Sequence, residues 1–266
     1  MKQSDKPTAK NYSAEKTMRM IELLARNRNP MRLQDIAQAL GSNSSTVLRF
    51  LVSLMDCGYV AQNPATLQYY LTFKICSVAN MVSEEIRLFD ISQAYMKQIS
   101  ERFGESVCLA IEENMTVVYI GFISGPDQML RTMQRIGSRA PMHCTGVGKL
   151  LLLDHDEGYI NKLIAEKGLP SFTEKTIVSK GQLMETLQIV RKNQYAFDNE
   201  ECEIGARCIA VPIRDYTQKI IAGLSVTGPI FRMTDEKIQK NLSFLIQTAD
   251  KLSKLLGSNI LIRSQN

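Results

Sequence analysis

Apolar residues recur at three- and four-residue spacing in three stretches near the start of the chain. In SAEKTMRMIELLARN, Met18, Ile21 and Leu24 mark one face of a helix that Ser13 can cap. Pro30 then interrupts the chain. The stretch LQDIAQALG places Ile36, Ala37 and Leu40 inward and stops at Gly41, the C′ residue. A third helix is predicted from about Asn43 to Cys57, with Val47, Leu51, Leu54 and Met55 as its apolar stripe and Gly58 as its end. Ser42 or Asn43 is placed to cap it. The period then drops to two. YVAQNPATLQYYLT holds two β-prone runs around Asn63-Pro64-Ala65-Thr66, the pattern of a hairpin. Short helix, glycine turn, longer helix and hairpin together predict a winged helix-turn-helix.

From Phe73 to Ile86 a helical pattern with Ile75, Val78, Ala79 and Val82 reads as a linker. Beyond Leu88 the predicted order is a helix (LFDISQAYMKQISERFG), strands (SVCLAIEE, TVVYIGFIS, MLRTM), helices, strands (RCIAVPIRD, KIIAGLSVTG) and a long helix after Met233. Strand runs flanked by helices predict an α+β domain around a largely antiparallel sheet. The expected division is 1–73 for DNA binding, 74–87 for the linker and 88–266 for a second domain. A chain of 266 residues suits two unequal domains.

Charge sharpens the picture of the first domain. The net charge is +5, and all of the excess lies before residue 75, where ten basic residues face five acidic ones. The remaining 22 bases and 22 acids balance. A polyanion partner for the N-terminal segment follows. On the third helix Asn43, Ser44, Ser45, Thr46 and Arg49 fall away from the apolar stripe. Short polar side chains let a recognition helix approach base edges, hydroxyls and N–H groups donate to phosphate, and Arg49 has the reach to read guanine or clamp a phosphate. The bland alternative is a solvated helix face.

No apolar run approaches the length of a membrane span, and the opening MKQSDKPTAKNYSAEK lacks the apolar core of a secretory signal. A cytoplasmic protein without membrane contact is the expectation. Six cysteines, none in a CxxC pair, predict neither a zinc site nor a disulfide framework, and most are expected to be buried small hydrophobes.

Leu33-Gln34-Asp35-Ile36-Ala37, Ser45-Thr46-Val47-Leu48-Arg49-Phe50-Leu51 and Gly58-Tyr59-Val60 resemble the IclR family of bacterial transcriptional regulators, with Tyr70-Leu71-Thr72-Phe73-Lys74 similar to the end of its wing. The resemblance continues through Arg139-Ala140-Pro141-Met142-His143-Cys144-Thr145-Gly146-Val147-Gly148-Lys149, Tyr195-Ala196-Phe197-Asp198-Asn199-Glu200-Glu201, Gly205 to Pro212 and Ile221 to Pro229. It spans roughly Ser13 to Leu256. The family often carries Tyr at the position of Leu48, so a phenol contact to DNA does not carry over. The resemblance implies a GAF-like effector-binding domain and a dimer or tetramer. It also implies an effector pocket lined by Met142, Thr145, Gly146, Asp198, Cys208, Ser225 and Thr227.

The residues of the second domain can be weighed on their own. Thr145 and Gly146 precede an apolar helix, so its N–H groups offer a seat for a small carboxylate. Ser225 and Thr227 share one strand face while Leu224 and Val226 take the other. Their hydroxyls serve either a ligand or neighbouring backbone groups. Asp198 either receives a ligand's hydroxyls or caps the turn after Phe197. CTGVGKLLL only superficially resembles a phosphate loop, because His143 replaces the first glycine and Leu150 follows Lys149. His143 beside Cys144 is expected on an extended strand, where neighbours face opposite ways. DHDEG, Asp154 to Gly158, reads as a helix-start loop rather than a metal site.

No coherent catalytic constellation, cofactor motif or metal cluster emerges. The expected function is a ligand-responsive regulator that binds double-stranded operator DNA and a small organic or sugar acid, controls a catabolic operon, and assembles as a homodimer or homotetramer. An architectural DNA-binding protein whose second domain only oligomerises, or an enzyme with an accessory DNA-binding domain, are the alternatives.

Overall fold

The computed structural model describes residues 11–27, 29–78, 88–125 and 135–258. The chain divides into two compact units, Met1–Ile86 and Arg87–Asn266. The first holds α1 (Tyr12–Arg26), α2 (Leu33–Ala39), α3 (Ser44–Asp56), β1 (Val60–Gln62) and β2 (Tyr69–Leu71). Met20 and Leu24 of α1, Ile36 and Ala37 of α2, and Val47, Leu51 and Leu54 of α3 meet Val60 and Tyr69 in one core. Two expected core residues are exposed instead, Met18 and Met55. Met20, one turn before Leu24, takes the buried place on α1 because that face packs against α2 and α3; the helix is capped by Asn11, not Ser13. The Asn11 Oδ1 accepts from the Ser13 and Ala14 N–H groups, each at 3.1 Å.

Helix α3 has both ends closed. Asn43 is its N-cap, with Oδ1 accepting from the Thr46 N–H at 2.9 Å. At the other end Gly58 adopts φ +76°, and the Gly58 and Tyr59 N–H groups return to the carbonyls of Met55 and Leu54. The Lys74 ammonium donates to the Cys57 carbonyl at 2.7 Å. Strands β1 and β2 pair antiparallel, Val60 to Leu71. Between them the Asn63 Oδ1 accepts from the Ala65 and Thr66 N–H groups and turns the chain. Residues 74–78 are helical, and the rest of the expected linker lies outside the described residues.

The second unit contains α4 (Leu88–Phe103), β3 (Ser106–Glu113), β4 (Thr116–Ile123), β5 (Arg139–Ala140), α5 (Gly146–Leu151), α6 (Glu157–Lys167), α7 (Lys180–Asn193), β6 (Ala196–Asn199), β7 (Ala206–Arg214), β8 (Ile220–Pro229) and α8 (Asp235–Leu255). The strands form one antiparallel sheet in the order β5-β4-β3-β8-β7-β6. β5 and β6 are additions to the predicted strands, and the predicted strand MLRTM lies outside the described residues. The sheet separates two cores. On one face Leu109, Val211, Leu224 and Val226 pack with Met96, Phe103, Leu245 and Leu252 of α4 and α8. On the other, Ala110, Val117 and Ala210 pack with Val147 and Leu150 of α5 and with Ile160, Leu163, Leu183 and Leu187 of α6 and α7.

Two glycines let α5 lie close against its surroundings. A Cβ on Gly223 would stand 2.5 Å from a Val147 methyl, and one on Gly148 would stand 2.4 Å from the Met142 Cα. Among the described residues no helix is long and apolar enough to cross a membrane.

Candidate functional site

On the α5 face of the sheet, polar groups near α5 gather along two adjacent rungs. One rung runs Ser106–Thr227–Cys208–Asp198 across β3, β8, β7 and β6. Its neighbour runs Cys108–Ser225–Ala210–Ala196. Residues directly opposite in a ladder share a face, so period-two alternation on four strands collects these polar groups into one patch. Above it lies a cavity of about 580 Å³, within the range of small-molecule sites. Its lining includes Thr145, Gly146, Asp198, Cys208, Ser225 and Thr227, six of the seven residues proposed from the sequence. Met142 is not among them; it is buried in the core beside α5.

Thr145 is fully committed to structure. Its hydroxyl donates to the Pro141 carbonyl at 2.7 Å and accepts from the Gly148 N–H at 3.1 Å, capping α5. Backbone bonding along α5 starts at Lys149, whose N–H donates to the Thr145 carbonyl, and Gly148 is taken by the cap, leaving the N–H groups of Gly146 and Val147, both in the cavity lining, as the first donors of the helix. Asp198 closes the turn that follows it, with Oδ1 accepting from the Glu201 N–H at 2.8 Å and the Cys202 N–H at 3.3 Å. Burial pushes its carboxyl up from the usual range, against the pull of these N–H groups. Burial likewise raises the Cys208 thiol to about 12, helped by the charge of Asp198.

Several cavity residues carry no sequence signal. Tyr119 and Arg139 come from β4 and β5, Cys202 and Ile204 from the loop after β6, and Phe231 from the turn before α8. Arg139 ion-pairs with Glu113 and donates to the Thr116 hydroxyl at 2.9 Å. The exposed side chains of Phe172, Ile204 and Phe231 give part of the lining an apolar character.

Lys149 is explained by the structure in a way the phosphate-loop pattern does not suggest. It is 2 % exposed, ion-paired with Glu201, and donates to the Phe197 carbonyl at 2.7 Å. It therefore ties α5 to the strand and turn that carry Asp198. His143 and Cys144 lie in a turn rather than on an extended strand, so they are not forced to opposite faces. The imidazole Nε2 donates to the Pro170 carbonyl at 3.1 Å and the ring hydrogen-bonds the Cys144 sulfur. Asp156 caps α6, as a helix-start loop would have it. Cys57 and Cys76 are exposed, against the expectation of burial for most cysteines; Cys108, Cys144 and Cys208 are buried.

In the first unit the proposed DNA-facing residues gather at the start of α3. Ser44, Ser45 and Arg49 are exposed and Thr46 half-buried. Arg49 has no ion-pair partner among the described residues. The Asn43 Oδ1 is occupied by the cap and by the Ser45 hydroxyl at 3.1 Å. Leu48, 40 % exposed, and Val52 present apolar side chains on the same helix.

A helix-turn-helix with an open arginine on its third helix, joined in one chain to a domain with a polar cavity, defines a DNA-binding regulator with an effector domain. The chain belongs to the IclR family of transcriptional regulators. The IclR helix-turn-helix domain matches residues 13–64, and the bacterial transcriptional regulator IclR C-terminal domain matches residues 80–254. The chain is 32% identical to the HTH-type transcriptional regulator KdgR of Escherichia coli (strain K12) over 95% of each sequence. It is 28% identical to the acetate operon repressor of Salmonella typhimurium, covering 94% of this chain and 92% of that one. The crystal structure of the Thermotoga maritima IclR superposes with a TM-score of 0.61 at 27% identity, covering 92% of this chain and 99% of that one. These relatives are transcriptional regulators, not enzymes.

Proposed function

We propose that the chain represses a catabolic operon in the cytoplasm, binding its operator as a homodimer or homotetramer through the start of α3 and responding to a small organic or sugar acid held in the 580 Å³ cavity. The observation that carries this reading is the convergence of Thr145, Gly146, Asp198, Cys208, Ser225 and Thr227 on one cavity. The orphan N–H groups of α5 suit a carboxylate. Ser225, Thr227 and the Asp198 carboxyl suit hydroxyl groups at the other end of the same ligand. A relative named the acetate operon repressor supports repression of a metabolic operon.

On α3, Arg49 supplies a forked donor for guanine or phosphate, Ser44, Ser45 and Thr46 supply short donors, and Leu48 and Val52 supply apolar contact of the kind that reads a thymine methyl. One such helix covers few base pairs, so two subunits on a symmetric operator are needed. Ligand binding changes operator affinity only by favouring one arrangement of the DNA-binding units over another. A thermal-shift screen of small acids, followed by calorimetry on Asp198→Ala, tests the pocket. The expected result is a melting-temperature rise with at least one acid, lost in the variant while operator binding remains. If no acid stabilised the protein, the architectural reading, with a second domain that only oligomerises, would take its place.

A further inference from the structure

Cys144 and Cys202 lie 58 residues apart in sequence, and their sulfurs stand 3.2 Å apart. A disulfide needs about 2.05 Å, so a shift of little over an ångström separates contact from bond. Both cysteines are held in place. Cys144 lies in the turn that Thr145 anchors to the Pro141 carbonyl, and the Cys202 N–H is bound by Asp198. Cys144 is fully buried, while Cys202 forms part of the cavity wall. The His143 ring touches the Cys144 sulfur from the neighbouring position.

We propose that Cys144 and Cys202 are an oxidation site, forming a reversible disulfide when a hydroperoxide passes from the cavity, beside the Cys202 side chain in its wall, to the buried Cys144 sulfur. The Cys144 thiolate attacks one peroxide oxygen; the O–O bond breaks, and the departing hydroxide takes a proton and leaves as water. Cys144 is then a sulfenic acid. The Cys202 sulfur attacks it, the S–S bond forms, and the sulfenic hydroxyl leaves as a second water with the Cys202 proton. Each sulfur gives up one electron, and the peroxide takes both.

Burial alone makes a thiol inert, and reactivity requires the thiolate. Here the Cys202 thiol donates to Cys144 and outweighs burial, with His143 adding to the effect, so Cys144 is held down at about 6. Cys202, as the donor, is pushed up. The pair thus divides into a nucleophile and a resolving thiol. The bond would fasten the loop of Cys202, Glu203 and Ile204, all in the cavity wall, to the turn that starts α5.

The test treats the reduced full-length protein with equimolar hydrogen peroxide, blocks remaining thiols with N-ethylmaleimide and maps the peptides by mass. The Cys144–Cys202 linked peptide should be the main oxidised product and vanish with dithiothreitol. Its rate of formation should hold between about pH 8 and pH 6.5, while oxidation of free cysteine added as a reference thiol slows toward acid. In Cys202→Ser the Cys144 sulfenic acid should persist and be trapped by dimedone. Recovery of Cys144 and Cys202 as alkylated thiols while Cys57 and Cys76 are consumed would overturn the proposal. The mapping uses no effector, so its outcome is separate from whether the cavity binds an acid.

Discussion

Replacing Lys149 with Met removes one half of a buried ion pair and keeps most of the side-chain volume. Two groups lose their partner: the Glu201 carboxylate and the Phe197 carbonyl. The second Glu201 oxygen, Oε2, is already buried without a hydrogen bond. Breaking such a pair from one side costs about 3–5 kcal/mol. The carboxyl can escape by taking up a proton, which from an ordinary value near 4.3 costs about 3.7 kcal/mol at pH 7 and about 1 kcal/mol at pH 5. The orphaned carbonyl adds about 1 kcal/mol at either pH.

The loss in Lys149→Met should therefore be about 3–5 kcal/mol at pH 7 and about 2 kcal/mol at pH 5. The sign follows from the folded state holding the carboxyl's pKa above its unfolded value. Stability then falls as pH rises between the two values. Urea unfolding of wild type and variant, followed by circular dichroism at both pH values, reads the difference. Adding Glu201→Gln should recover much of the pH 7 loss. A single-variant loss below 1 kcal/mol at pH 7, or one that grew toward pH 5, would refute the buried-pair account.

Arg49→Ala should weaken operator binding by about 1–3 kcal/mol and reduce its salt dependence, with ligand-induced thermal shifts unchanged, as read by fluorescence anisotropy and melting curves. Asn43→Ala should cost about 1 kcal/mol of stability through the lost α3 cap, measured by urea unfolding of the full chain. Gly148→Ala brings a Cβ within 2.4 Å of Met142 backbone atoms and 2.5 Å of the Thr145 hydroxyl, so it should cost about 1–3 kcal/mol. By contrast Gly181→Ala, in the first turn of α7 with nothing within 4 Å of the new Cβ, should be neutral or stabilise by up to about 1 kcal/mol.

Much of this architecture is legible in the sequence wherever a period repeats long enough. The apolar stripe of α3 and the strands β3, β4, β7 and β8 are of that kind, and the alternation on β8 puts Ser225 and Thr227 on one strand face, the one that lines the cavity. Short elements escape. β5 has two residues and β6 four, too few for a period, and both are strands only because a neighbour is present to pair with. Asn11 caps α1 ahead of Ser13, and Met20 is buried where Met18 looked as suitable, because packing against α2 and α3 selects the face.

Site residues recruited by tertiary contact were invisible. The partner of Lys149 is 52 residues away, and the sulfur facing Cys144 is 58 away. Neither separation leaves a mark on local pattern. The cavity wall also draws on loops, through Ile204 and Phe231, where no periodicity operates.

The central claim is that the cavity and the operator-binding helix are thermodynamically coupled. Its most direct measurement is operator affinity of the full-length protein, titrated with and without a saturating acid identified by thermal shift, for wild type and Asp198→Ala. The account predicts a change in wild-type operator affinity of at least about fivefold, the lower end of ordinary allosteric coupling, and no change in Asp198→Ala, whose ligand-free operator affinity matches wild type. An acid that binds the wild type while leaving operator affinity untouched, or a response that survives in Asp198→Ala, would contradict it.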